Sequence, residues 1–166
     1  MAVTGKIDRK YMAHYIDAGS LCRGLTPKYE RLGKDLEEYN VELNPDTETS
    51  KNILGESTFK HNGYEVSSDA DPFYADTTSG LFTALQKIVD GRLKDDNLKT
   101  KAVEVHLWTE ATEGKYEAYQ QDCYVVPTSY GGDTSGYQIP FTVNYTGERV
   151  KGKFDISSST FTADSE

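Results

Sequence analysis

The stretch YQIPFTVNYTGERVKGKFD, residues 137–155, decides the fold class of this chain. Its first part alternates between apolar and polar residues, and this period of two is typical of a strand with one buried face. A short connection at 146–148 precedes a second alternating run that includes Val150, Phe154 and Ile156. The two runs predict an antiparallel hairpin. The apolar residues of the first run are Tyr137, Ile139, Phe141, Val143 and Tyr145.

Other strands are predicted on both sides of this stretch. Apolar and polar residues alternate over 103–108, and 116–126 is rich in Tyr and Val. In the N-terminal half, Tyr39, Val41 and Leu43 alternate with polar residues, and weaker strand patterns occupy 12–17 and 58–67.

One segment has helical spacing instead. Between residues 77 and 93, apolar side chains recur at intervals of three and four, and Gly91 follows near the C-terminal end. Burial of four of them would contribute about 6 to 12 kcal/mol before conformational entropy is counted. The fold class is therefore predicted to be mainly β: an antiparallel sandwich or barrel-like domain with one flanking helix at about 78–92. The helix positions are Leu81, Leu85, Ile88, Val89 and Arg92, with Thr77, Thr78 or Ser79 as N-cap.

Size and charge narrow the class of function. A chain of 166 residues forms one domain with a real core, so we expect a single domain over 1–166. Acidic residues outnumber basic ones by 27 to 18, and the net charge of -9 disfavours nucleic-acid binding as the function. No apolar stretch suits a membrane, and no apolar signal follows the start, so we expect a cytoplasmic location and no membrane partner.

The residues that usually carry chemistry form no motif. His14, His61 and His106 are far apart in sequence, and Cys22 and Cys123 are about a hundred residues apart, so neither type predicts a metal site. No nucleotide-binding loop or nucleophile elbow is present. We expect no enzyme activity, no metal and no cofactor; an active site assembled only in the fold is the alternative.

Two segments in the middle of the chain are unusual. Residues 44–56 predict a long loop between strands, yet this polar loop contains the apolar pair Ile53-Leu54. The pair either begins the next strand and faces the core or serves as a docking contact. In 61–64, Asn62-Gly63 suits either a hairpin turn or a glycine bulge, and we favour the bulge.

Five phrases of the sequence resemble a known family. They are VTGKIDRKYMAHYID (3–17), RLGKDLEEYNVELNPD (31–46), KNILGESTFKHNGYEVSSDADPFY (51–74), VVPTSYGGDTSGYQIPF (125–141) and RVKGKFD (149–155). Together, and in this order, they resemble the tail tube (major tail) proteins of long-tailed phages and prophages of Gram-positive bacteria.

The resemblance implies a structural protein of the virion. It implies a β-sandwich or barrel-like domain beside a helix, which forms six-membered rings that stack into a hollow tube for genome ejection. The implied partners are other copies of the chain and further tail proteins, namely the baseplate or distal tail, the tape measure and the terminator. DNA would pass as cargo that does not stick.

The resemblance also suggests roles by position. Acidic and polar strand residues would line the channel and repel DNA phosphates, although a plain solvated strand face is the alternative. The loop at about 44–57 would reach the next ring, and flexible arms at about 1–10 and 157–166 would lock the rings. The expected lumen residues are Glu38, Asn40, Glu42, Glu104 and Glu117. The expected ring-stacking residues are Asn44, Pro45, Asp46, Lys51, Asn52, Ile53 and Leu54.

Two other functions suit the same pattern. A β-barrel that binds a small apolar ligand needs an inward apolar face on most strands, and 36% apolar residues fill a core more readily than they line a large cavity. Another tail component with the same fold, such as a tail terminator, is the second alternative.

Overall fold

Antiparallel strands dominate the computed structural model, which describes residues 2–34, 36, 38–109 and 112–164. The strands are β1 (Met12–Asp17), β2 (Tyr29–Leu32), β3 (Val41–Glu42), β4 (Pro45–Lys51), β5 (Ser57–Tyr64), β6 (Ser67–Ala70), β7 (Lys99–His106), β8 (Lys115–Pro127), β9 (Gly131–Asp133), β10 (Gly136–Gln138), β11 (Phe141–Asp155) and β12 (Thr160–Ala163). The helix α1 spans Gly80–Gly91, and short 3-10 turns occupy Arg9–Tyr11, Leu21–Arg23 and Asp95–Leu98.

The main sheet has the order β2-β1-β7-β8-β11-β6-β3, with β12 also paired to β11. Two small hairpins, β4–β5 and β9–β10, lie outside it. The sheet curls strongly, as the contact between Tyr29 of β2 and Phe154 of β11 shows; their ring centroids are 5.8 Å apart. Gln120 of β8 also donates a hydrogen bond to the Tyr29 hydroxyl at 2.6 Å. The mainly β, barrel-like fold class predicted from the sequence is confirmed.

Each face of the curled sheet carries its own core. Tyr15 and Val103 belong to the cluster that contains Phe154, whereas their neighbours Ile16 and Ala102 belong to the larger cluster under α1. Adjacent residues enter different cores because successive side chains of a strand point to opposite faces. The sheet is therefore covered on both sides.

The predicted helix is confirmed. Ser79 is the N-cap, and its hydroxyl accepts a hydrogen bond from the Phe82 N–H. Glu30 of β2 accepts hydrogen bonds from the Ser79 hydroxyl and from the Leu81 N–H, which joins the helix start to the sheet edge. The buried face consists of Leu81, Ala84, Leu85, Ile88 and Val89, while Arg92 is the exposed left-handed C-cap.

The hairpin predicted within 137–156 is wrong. β11 is one strand that pairs with β8 from Phe141 to Asp155, and the register shifts between Thr146 and Val150. The connection is thus a bulge, with Gly147 at φ 71°. The chain need not reverse, because β8 is long enough to pair with both halves. Tyr137 belongs to β10 instead, since Pro140 has no N–H to extend β11 backwards.

The predicted loop at 44–56 is also different in the structure. β4 occupies its first half and pairs with β5, so the segment is a hairpin with a short turn. The register of this pair shifts between Asp46 and Thr47, opposite Asn62, and Gly63 has φ 129°, so the favoured bulge is confirmed.

The C-terminal segment and the strand at 39–43 differ from expectation too. The C-terminal segment, predicted as a loose tail, contains β12, which pairs with β11 from Gly152 to Asp155. In the other segment only Val41–Glu42 is strand, and Leu43 is 54% exposed because the chain leaves the sheet there to enter the β4–β5 hairpin.

Candidate assembly surfaces

The β4–β5 hairpin, here called the arm, is exposed along its whole length. All residues of β4 are exposed, and in β5 only Gly63 is half-buried. Phe59 and Tyr64 are 67% and 59% exposed on it. Among the described residues the two strands pair only with each other. A two-stranded ribbon without a packed face is marginally stable alone, so the arm is suited to gain contacts from another chain.

Asn52 organises the turn at the end of the arm. Its side-chain oxygen accepts hydrogen bonds from the Leu54 N–H at 2.9 Å and the Glu56 N–H at 3.0 Å. Its side-chain N–H donates to Glu56 at 3.1 Å. The turn presents Ile53 and Leu54, which are 103% and 76% exposed. The apolar pair therefore faces solvent, and we call residues 52–55 the arm tip.

The seven residues predicted for ring stacking separate into two groups. Asn52, Ile53 and Leu54 lie in the arm tip and Lys51 directly precedes it, whereas Asn44, Pro45 and Asp46 lie at the base of the arm. Asn44 fixes the base, because its side chain donates to the Glu65 carbonyl at 3.0 Å and the Ser67 hydroxyl at 3.2 Å. β4, with seven residues at about 3.4 Å each, spans roughly 24 Å from the base of the arm to its tip.

A cavity of about 560 Å³ opens beside the base of the arm. We call this cavity the base groove. The Arg9 guanidinium at its rim donates to the Tyr39 carbonyl at 2.9 Å, which ties the N-terminal segment to the groove. Its apolar lining includes Ile7, Met12, Val41, Leu43, Val66 and Trp108.

Buried hydroxyl groups hold one wall of the groove in place. Tyr39 and Ser68 share a hydrogen bond of 2.6 Å, and the Tyr145 hydroxyl lies 3.4 Å from both. Burial raises the pKa of Tyr39, and burial together with the neighbouring Tyr39 raises that of Tyr145. These phenols are structural, since proton loss from them is strongly disfavoured.

His14 lies against the ring of Tyr39, with 4.7 Å between centroids. Burial lowers the pKa of His14 to about 4, and the positive charges of Arg9 and Arg31 act in the same direction, while Glu104 opposes them. The imidazole in the groove is therefore neutral at pH 7.

The five residues predicted to face a lumen are brought together only in part. Glu38 and Asn40 share a hydrogen bond of 2.6 Å next to β3, and Glu42 is exposed in β3. Asn40 and Glu104 both line the base groove, whereas Glu117 does not. Whether any of these residues faces a channel stays a prediction.

Two of these glutamates have basic partners that the sequence pattern did not reveal. Glu104 lies 2.9 Å from His106 Nε2 and 3.6 Å from the Arg149 guanidinium. Glu117 lies 3.9 Å from Lys151 Nζ. The free negative charge expected on this strand face is thus largely countered. The signal available in the sequence was the cationic run of 149–153, whose register with β8 depends on the bulge.

An aromatic and cationic row adjoins this pair. The His106 ring stacks on Trp108 with 4.3 Å between centroids, and the Arg149 guanidinium lies 4.3 Å from the Tyr119 ring centroid. Such contacts stabilise a partly exposed face by roughly 0.5 to 1 kcal/mol each.

Few groups in the described part of the chain are suited to chemistry. No cluster of three or more His, Cys, Asp or Glu residues there could hold a metal ion. Burial raises the pKa of the Cys123 thiol to about 12, and that of Cys22 is also raised. Across residues 2–34, 36, 38–109 and 112–164, no helix has the length and apolarity to cross a membrane.

No family model matches the chain, and no curated protein matches it. Several solved structures are similar to the chain, and two of them have informative descriptions. One is the sheath/tube terminator of an extracellular contractile injection system, PVC, in its extended state, with 10% identity, a TM-score of 0.49 and coverage of 90% of this chain and 99% of that one. The other is the tube-terminating cap of the anti-feeding prophage, with 10% identity, a TM-score of 0.49 and coverage of 91% and 93%.

By their descriptions, one solved chain is a sheath/tube terminator and the other is a tube-terminating cap.

Proposed function

We propose that this protein is a ring-forming structural subunit of a tail-like tube and acts by assembly, without catalysis. The observation that carries the proposal is the arm, an exposed hairpin whose tip holds Ile53 and Leu54 in solvent. Apolar side chains held in water are unfavourable for a lone chain. This unfavourable free energy is removed when a neighbouring chain covers the side chains.

The sequence resemblance supplies the type of assembly. Tail tube proteins form six-membered rings, and we propose the same ring for this chain. Further tail proteins would be its partners at the tube ends. A closed ring also covers the edges of the sheet, which a free subunit leaves open. The subunit would be made in the host cytoplasm and end in the tail of the virion.

Two roles within this class differ in how rings stack. A tube subunit offers complementary surfaces on both sides of its ring and repeats without limit. A terminator binds the tube on one side and ends it. The arm occurs once per chain and supports either role.

Negative-stain electron microscopy over a concentration series tests the proposal. We expect the unmodified protein to form hollow tubes if it is the tube subunit, or single six-fold rings if it is the terminator. The Ile53→Asp, Leu54→Asp double variant should lose tubes or end-to-end ring pairs. Leu25→Asp is the matched control, because Leu25 is 96% exposed far from the arm in sequence. A protein that stays monomeric at every concentration would contradict the proposal.

A second candidate function follows from the base groove. Its volume of about 560 Å³ lies in the range of small-molecule sites, so the groove could hold an apolar ligand. Native mass spectrometry of the freshly purified monomer checks this alternative. A stoichiometric bound mass that disappears in Leu43→Glu would favour the ligand-binding function.

A further inference from the structure

The arm tip and the base groove lie at opposite ends of one arm, and both are apolar. The tip is a rigid apolar knob, and the groove is an apolar recess whose Ile7 and Leu43 are 45% and 54% exposed. We propose that the base groove of one copy receives the arm tip of a second copy. This inference rests on the proposed function, and it names the receptor for the arm.

The contact can only form between two chains. The tip lies at the far end of β4, whose seven extended residues span about 24 Å from the base of the arm. The tip is also held away by its own turn, in which Asn52 accepts two backbone hydrogen bonds. A knob and a recess at different places on the same surface give a head-to-tail contact, which repeats along an axis instead of closing into a dimer.

The groove suits an apolar knob in volume and charge. Two aliphatic side chains fit easily within about 560 Å³. His14 at the groove is neutral at pH 7, and Glu104 in the lining is paired with Arg149 at 3.6 Å, so neither group presents an unpaired charge to the apolar tip. The tip is flanked by Lys51 and Glu56, and the rim carries Asp8 and Arg9, so opposite charges can meet at the edge of the contact.

The area involved explains why the second copy must belong to a ring. Ile53 and Leu54 together offer on the order of 200 Å² of apolar surface. A stable pairwise interface needs about 800 Å² per partner. A single tip in a single groove is therefore too small to hold two monomers together. Several such contacts act together when one ring meets another, because after the first contact the others form at high effective concentration.

Disulfide trapping between two variants tests the contact. Leu54→Cys places a thiol at the tip and Leu43→Cys places one in the groove, both in a Cys22→Ser background; Cys123 is buried and remains. The two proteins are mixed and mildly oxidised. We expect the tip–groove heterodimer to form at least about tenfold faster than the dimer between Leu54→Cys and the control Leu25→Cys. All three sites are exposed, so folding is not at issue.

Electron microscopy of the unmodified protein distinguishes a failure of the tip–groove contact from a failure of the proposed function. Tubes or stacked rings without faster tip–groove trapping would overturn the groove as the receptor and leave the proposed function standing. Fast trapping in a protein that forms no rings or tubes would support the groove contact and contradict the proposed function. The absence of both would overturn both.

Discussion

At the scale of single residues, buried polar groups determine where the loops of this protein lie. Asp17 is 2% exposed at the end of β1, and its carboxylate accepts hydrogen bonds from the Lys28 N–H at 2.8 Å, the Ser20 N–H at 3.2 Å and the Ser20 hydroxyl at 2.6 Å. One carboxylate thus closes the whole 18–28 loop. Each of its two oxygens has a donor, so burial leaves neither oxygen without a hydrogen bond.

Asp17→Ala should lower the free energy of unfolding by about 2 to 4 kcal/mol, because it leaves buried N–H groups without acceptors. Urea denaturation followed by fluorescence measures the change. Asp133→Ala is the matched control, since Asp133 accepts from the Ser135 N–H at 2.8 Å in an exposed turn and should cost less than about 1 kcal/mol. Equal losses in the two variants would contradict the assigned role of Asp17.

His14 should make stability depend on pH. Its pKa is lowered to about 4 in the folded protein from 6.5, so the unfolded chain takes up a proton first as the pH falls. The contribution of His14 is complete above pH 6.5 and is lost progressively as the pH falls toward 4. Between pH 7.5 and 5 we expect a loss of up to about 2 kcal/mol that is absent in His14→Gln.

Urea denaturation at both pH values measures this difference. His61→Gln is the control, because His61 lies on the exposed arm. If His14→Gln and the unmodified protein lose the same free energy of unfolding on acidification, His14 is not the group responsible.

At the scale of elements, the long strand β11 is the centre of the molecule. It pairs with β8 along its length, with β6 near its start and with β12 near its end. Gly152 lets β12 approach, because a Cβ at that position would lie 2.3 Å from the Thr162 carbonyl oxygen and 2.6 Å from Phe161 Cζ. The close approach places Phe161 on the core that contains Phe154.

Gly152→Ala should therefore displace β12 and cost about 1 to 3 kcal/mol. Hydrogen exchange of residues 160–163 should become much faster, while exchange in β7 changes little. Gly80→Ala is the control, because its Cβ would meet nothing closer than 3.8 Å and alanine favours the helix. Unchanged protection of 160–163 would show that the strand tolerates the methyl group.

The arm tip is a second element whose order can be tested. Asn52→Ala removes the acceptor of the Leu54 and Glu56 N–H groups, so the turn should loosen without a change in global stability. If the tip acts in assembly, the protein concentration needed for rings or tubes in electron microscopy should rise several-fold. Ser50→Ala, in the neighbouring exposed strand, should leave it unchanged.

At the scale of the whole molecule, the acidic side chains matter because some of them would line the channel of the proposed ring. The net charge of -9 keeps the free chain soluble, yet Glu104 and Glu117 are countered by Arg149 and Lys151. Glu38 and Glu42 have no ion pair of this kind in the described part of the chain, so they are the better test of a DNA-repelling lumen.

Glu38→Lys with Glu42→Lys should leave ring and tube formation intact but make assembled tubes retain duplex DNA, because the wall then attracts phosphates. Co-sedimentation of DNA with tubes at low and high salt measures the effect. Asp90→Lys with Asp133→Lys, on the helix and on an outer turn, carries the same charge change. Equal DNA retention by both double variants would defeat the lumen assignment.

The arm shows how far the sequence alone could lead. The sequence of β4 is polar throughout and was therefore predicted to be a loop. A strand is predicted from the alternation produced by one buried face, and this strand has no buried face. The Asn62-Gly63 bulge was predictable, since glycine adopts positive φ without strain. The basic partners of Glu104 and Glu117 were not, because they depend on the register of β11 across the bulge.

The sequence by itself determined the fold class, the single helix and the faces of the long strands. These follow from local periodicity, which records the side of each element that is removed from water. Only the tertiary structure decided that 141–155 is one bulged strand, that 45–64 projects as an arm and that the groove lies at its base. Those features depend on which distant strands pair and in which register, and long-range pairing leaves no period in the local sequence.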